Sequence, residues 1–405
     1  MDKKVIYKIF FKMTLTKKIL SILVFGTLIF EISRFYSFVE NYSSWQYADW
    51  LINYQGGLVR RGFIGEILYL IHKFFFIDLD ILIFVFVSFI YISISFFLIK
   101  SIKYIENNYL NILIFLSPGF FIYPVMNSGI IGRKDILFIF IISFLVFFEK
   151  KLTNRFLFFY LILSLIIVCL SHSGFVFYSP YLIFLYFLIK DKRNLKIKKN
   201  EIFTIPLIIL LIVFFIQYFS GSETLINTIC LSVKNFVSDQ CGKSDQIFHL
   251  ATDLQYRLSE KKIMGMEYLF NYFTIYLLSI FLVFYFISNK FIKSKFDLNN
   301  NIAKNLSPFT IIVLLFLFTL PVYIIGRDWG RYIYISYSCT FFIYIYCLKE
   351  KILIFKDKNY LLKKINKFSF FILVIFYSFL WTFPYYDASN FKFTLKKPVK
   401  SLFKK

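Results

Sequence analysis

Apolar runs of about 18 or more residues recur along the chain, each long enough to cross a hydrocarbon core about 30 Å thick. They are separated by polar connections, most of them short, and predict eleven membrane-spanning helices: 19–39, 79–99, 109–126, 135–148, 156–171, 174–190, 202–219, 266–288, 307–325, 332–348 and 367–383. The fold class that follows is an all-α polytopic transmembrane bundle of 10–12 spans, with residues 1–405 as a single integral membrane domain. Residues 62–77 (GFIGEILYLIHKFFFI) fit the span pattern less well, because Glu66, His72 and Lys73 interrupt the run. They read as a helix lying on the membrane within a first outer loop, 40–78. The long polar loop 220–265 carries Ile247, Phe248, Leu250, Leu254 and Leu258 on one helical stripe, the pattern of either a lid or a structural cap.

Composition supports this picture. The 405 residues are 59% hydrophobic, too apolar for a soluble domain, and the net charge of +24 comes mainly from lysine between the apolar runs. The basic connections are 100–108, 149–155, 190–201, 289–306 and 349–367, and the positive-inside rule places them and the N-terminus in the cytoplasm. The six lysines after Pro384 run against the rule. Six lysines precede the first run, which has no small-residue cleavage site and reads as a retained span. No basic, aromatic-interleaved motif indicates nucleic acid. The remaining connections, 40–78, 127–134, 172–173, 220–265 and 326–331, all fall on the outer face, and they hold most of the polar residues with chemical character.

Arginine is scarce: there are 38 lysines and nine arginines. Five of the nine lie in three glycine-bearing outer motifs, Arg60 and Arg61 in GGLVRRG, Arg133 in GIIGRK, and Arg327 and Arg331 in GRDWGR. Snorkelling at membrane ends and tight turns would explain any one motif. Three together on one face indicate planar forks that hold phosphate oxygens, with Gly56 and Gly57 admitting a ligand close to the backbone. Asp49 follows the first span in SSWQYADWLINYQGG, a stretch that predicts an amphipathic helix with Trp45 and Trp50 at headgroup depth. Asp49 is the leading candidate base for a sugar hydroxyl, followed by Glu66 and His172. Glu66 alternatively orients an arginine. His172 alternatively is structural, or binds phosphate or sugar. Asp328 and Trp329 support the GRDWGR arginines, and Asp135 is expected to pair with Arg133 or Lys134. Glu31 and Arg34, three residues apart, are expected to pair with each other. Asp78 and Asp80 form a D-x-D best explained by helix capping, and neither a metal nor a cofactor is expected. Cys230 and Cys241, in the long outer loop, are a candidate disulfide, while Cys169, Cys339 and Cys347 sit in apolar runs.

The layout resembles the GT-C superfamily of polytopic membrane glycosyltransferases and the related bacterial O-antigen and capsule polymerases. In that superfamily the loop after the first span carries a surface helix and an acidic residue near the reacting sugar, the place Asp49 occupies here. In the polymerases, outer-face arginines hold the diphosphate of a polyprenyl-linked sugar, which Arg60, Arg61, Arg133, Arg327 and Arg331 would match. The resemblance implies a bacterial cytoplasmic membrane protein acting on polyprenyl-phosphate-linked sugars in surface-polysaccharide assembly, alongside other assembly proteins. Two other classes stay open. A flippase needs polar groups along a path through the bilayer, and a membrane O-acyltransferase would lean on His172.

Overall fold

The computed structural model describes residues 14–42, 45–105, 109–219, 221–237, 247, 250, 308–326, 328–353 and 367–379. Over these residues the chain is mostly helical and forms no strand. In chain order the helices are α1 (Leu15–Glu40), α2 (Trp45–Ala48), α3 (Phe63–Phe75), α4 (Leu79–Ile105), α5 (Tyr109–Phe115), α6 (Tyr123–Met126), α7 (Asp135–Phe148), α8 (Asn154–Ser171), α9 (Ser179–Lys192), α10 (Lys199–Tyr218), α11 (Glu223–Ser232), α12 (Pro308–Leu317), α13 (Leu320–Ile325), α14 (Trp329–Lys349) and α15 (Lys367–Phe379). Polar caps start several of them. Thr14, Thr153 and Ser222 each accept from a backbone N–H in the first turn of α1, α8 and α11.

Among the described residues six helical segments are long and apolar enough to span a membrane: α1, α4, α8, α9 with the turn Ser173–Tyr178 ahead of it, α10, and α12 together with α13. The other expected spans fare differently. The run 109–126 is not one helix. It splits into α5 and α6 around Ser117-Pro118-Gly119, where proline supplies no N–H to a helical ladder. The run 62–77 forms the 13-residue α3, about 20 Å long and too short to cross a bilayer. The span expected at 266–288 lies outside the described residues, and 367–383 is described only to Phe379.

Two helices form the centre. α7 has 14 residues, about 21 Å, most of them buried and none exposed. α14 is buried from Trp329 to Cys347 despite its tyrosines, serines and threonine. Such side chains suit a helix enclosed by protein, where hydroxyls find acceptors that lipid lacks. Thus Tyr337 donates to the Ile114 carbonyl at 2.9 Å and Tyr344 to Asn111 at 2.6 Å. α7 and α14 run side by side in the same direction, and ion pairs fasten both ends. Arg331 binds Asp135 where both helices begin, and Lys349 binds Glu149 at 3.0 Å where both end. Arg193, just after α9, also donates to Glu149. Around this pair α4 packs on α7 and α1 packs on α4. Of the six segments among the described residues, α10 is the least buried, with Phe203 at 74% and Leu210 at 67% exposure.

Candidate functional site

Connections distant in sequence meet at the end of the bundle where α7 and α14 begin. The 127–134 connection delivers Arg133 and Lys134 directly before α7, and Asp328 precedes α14. Residue 172 caps α8, and the 49–62 segment lies across the same end.

The strongest contact is that of Arg331, whose Nε and Nη2 hold both oxygens of Asp135 at 2.5 and 3.1 Å, the bidentate geometry that suits a guanidinium. Its Nη1 donates to Asp328 Oδ2 at 2.7 Å, and Nη2 lies 2.8 Å from His172 Nε2. Asp328 Oδ2 also takes Arg133 Nη1 at 3.3 Å, so it bridges two arginines. Asp135 therefore pairs with Arg331, remote in sequence, and not with its neighbours Arg133 or Lys134. Trp329 closes the turn before α14, donating from Nε1 to the carbonyls of Tyr323 and Gly326.

Lys134 is fully buried. Its ammonium donates to the Arg61 carbonyl at 2.8 Å, lies 3.8 Å from Asp49 Oδ1 and sits 5.9 Å from the Trp50 ring centroid. Burial lowers its pKa to about 8, with Asp49 opposing and Arg61 adding to the shift. Arg61 adopts a left-handed backbone, φ 73°, and directs Nε to Ser173 Oγ at 3.4 Å. Asp49 is 5% exposed, and its Oδ1 accepts no hydrogen bond. Among the described residues the cluster thus sets four cations, Arg61, Arg133, Lys134 and Arg331, against three carboxylates, Asp49, Asp135 and Asp328.

His172 faces donors on both ring nitrogens, the Gly174 N–H on Nδ1 and Arg331 on Nε2. A neutral imidazole has one lone pair to offer and the imidazolium has none. Burial and the charges of Arg61, Arg331, Lys134 and Arg133 accordingly hold its pKa well below the ordinary range.

Other expected residues stand elsewhere. Arg60 donates from Nη2 to the Leu250 carbonyl at 2.9 Å, and so ties the first loop to the 220–265 loop. Glu66 orients no arginine in its described hydrogen bonds. It accepts from the Tyr54 N–H at 2.7 Å and from Gln55 Nε2 at 3.0 Å, fastening the turn ahead of the arginine doublet. Gly56 serves packing: a Cβ there would lie 2.6 Å from the Leu225 carbonyl of α11, and Gly57, φ 122°, continues the same turn. Trp50 is fully buried, and its Nε1 donates to the Gly132 carbonyl at 2.6 Å. Glu31 and Arg34 do not pair; Glu31 is buried while Arg34 lies over the Phe38 ring. Asp80 accepts from the Tyr42 hydroxyl at 2.9 Å. Cys230 is disulfide-bonded. Arg327 and Cys241 lie outside the described residues, as does most of the stripe from Ile247 to Leu258.

The sequence offers Lys134 only as a possible partner of Asp135, whereas the structure sets it against Asp49. Its position between Arg133 and Asp135, in a run of three consecutive charges directly before an apolar stretch, is the signal that marks it. Comparison of the chain with family models, curated proteins and solved structures gives no match.

Proposed function

We propose that the protein is a membrane glycosyltransferase or polymerase that acts on polyprenyl-phosphate- or polyprenyl-diphosphate-linked sugars at the outer face of the bacterial cytoplasmic membrane, in surface-polysaccharide assembly. The observation that carries this reading is Asp49: a buried carboxylate whose Oδ1 faces Lys134 at 3.8 Å and accepts no hydrogen bond, in a cluster with one positive charge in excess among the described residues. An anionic ligand neutralises that excess, and positioned cations in a water-poor site stabilise a departing phosphate strongly.

The lipid-linked sugar enters from the bilayer with its phosphate toward Arg61, Lys134 and Arg133. The acceptor hydroxyl gives its proton to Asp49 and forms a bond to the anomeric carbon. The bond from that carbon to the phosphate oxygen breaks, and the lipid phosphate leaves with the electron pair. Arg331, held by Asp135, Asp328 and His172, positions Arg133 through Asp328 and makes a lesser direct contribution. His172 is a poor base, because accepting a proton would place a new charge among four cations. That argument also weighs against an acyltransferase that uses it. The two-ended fastening of α7 to α14 opposes the rocking a flippase requires.

The test is Asp49→Asn in proteoliposomes supplied with polyprenyl-diphosphate-linked oligosaccharide, with products read by mass. The expected result is a rate loss of about 10²–10⁴-fold, the usual contribution of a general base. Transfer at the wild-type rate would remove Asp49 from the chemistry. In cells, deletion should leave single repeat units on the lipid carrier. Units trapped inside would indicate a flippase, and unchanged chain length an acyltransferase.

A further inference from the structure

The opposite end of the bundle holds a second group of cations, and it is built differently. α4 turns one apolar stripe outward, Ile81, Val85, Phe89, Ile92, Phe96 and Ile99, each between 38% and 58% exposed. The spacing of three and four residues keeps them on one helical face, continuous from one end of the span to the other. This stripe ends at Lys100, whose Nζ lies 4.2 Å from the Phe96 ring centroid and 5.5 Å from that of Phe148. Lys151, from the turn after α7, stands over the same Phe148 ring at 5.1 Å. Lys103, one turn along α4, lies 4.7 Å from the Tyr104 centroid.

None of these three lysines has an ion pair among the described residues. The nearby carboxylates are already taken: Glu149 by Arg193 and Lys349, Glu350 by Lys150 and Lys349. Lys103 and Lys151 both repel Lys100. Lysines that served only as solvated inner charges would spread into water. Here two ammoniums converge on one ring at the head of a lipid-facing stripe.

We propose that this corner binds an anionic phospholipid, its phosphate between Lys100 and Lys151 with Lys103 alongside, and its acyl chains along the α4 stripe. A phosphodiester replaces the mutual repulsion with charge-assisted hydrogen bonds, and basic pockets at helix ends are suited to such headgroups. A lipid is favoured over a free anion because the ammoniums and the stripe are contiguous, and only a lipid engages both. The inference is independent of the catalytic reading.

The test uses the full chain in phosphatidylcholine nanodiscs doped with phosphatidylglycerol, with lipid retention read by native mass spectrometry. Wild type is expected to retain phosphatidylglycerol over phosphatidylcholine. Lys100→Gln/Lys151→Gln should weaken retention about thirtyfold, as expected for two lysines at a membrane surface. Lys100→Arg/Lys151→Arg should keep it. The control Lys196→Gln/Lys199→Gln removes the same charge elsewhere. Equal weakening in both glutamine pairs, equal retention of the two lipids, or displacement of phosphatidylglycerol by inorganic phosphate would each overturn the proposal.

Discussion

Asp49 and Lys134 lie 85 positions apart, and neither makes chemical sense alone. A buried lysine is costly, and this one is held by the Arg61 carbonyl at 2.8 Å as much as by Asp49 at 3.8 Å. Its lowered pKa of about 8 has two consequences of opposite sign. In the unfolded chain a lysine titrates near about 10.4. Between these values the unfolded state binds more protons, so the cost of the buried charge is full below about 8 and fades as pH rises toward about 10. Stability should therefore rise with pH across that window, as read by thermal unfolding in detergent. Binding of inorganic diphosphate, followed by calorimetry, should fall about tenfold as pH passes 8, since one charge-assisted contact is lost. Lys134→Arg should move that loss to higher pH, because a guanidinium stays charged. Diphosphate binding that is flat from pH 7 to 9 in the wild type would show that Lys134 does not face the ligand. Asp49 was legible in the sequence as an acid near an arginine doublet. Lys134 was not, because burial is a property of surroundings that one residue's neighbours in sequence do not report.

Among the helices, the fixed unit is the α7–α14 pair. Its apolar length was visible as two runs, but their pairing was not, since Asp135 reaches across nearly 200 positions to Arg331. Removing one partner leaves a buried charge uncompensated, so Arg331→Ala should destabilise the protein by about 3–5 kcal/mol. Asp135→Asn/Arg331→Gln should recover part of that loss, because neither charge is then stranded. Denaturation midpoints of the three proteins decide it: a double variant no more stable than Arg331→Ala would mean the pair's geometry, and not its charge, matters. The same scale explains the glycines. Gly56 reads as a ligand-approach glycine in sequence, yet the space it leaves is filled by the Leu225 carbonyl of α11.

Across the whole molecule, the two ends differ in kind. One gathers Asp49, Arg61, Arg133, Lys134, His172 and Arg331; the other gathers Lys150, Arg193 and Lys349 around Glu149 and Glu350, with Lys100 and Lys151 over the Phe148 ring. The proposed topology makes the first end external. Gln55→Cys, at that end, should react with a membrane-impermeant maleimide in intact cells, and Lys151→Cys only after permeabilisation. Labelling of both from one side would refute the topology. The sequence alone determined the helical class and the apolar lengths that suit a bilayer, because hydrophobic length is a local quantity that sets how a chain sits in lipid. Only the tertiary structure decided that Arg60 reaches the Leu250 carbonyl, that Glu66 fastens a turn, that Trp50 is buried and that Lys134 faces Asp49. Those outcomes depend on which helices lie side by side, and packing between distant segments leaves no periodic mark in the chain.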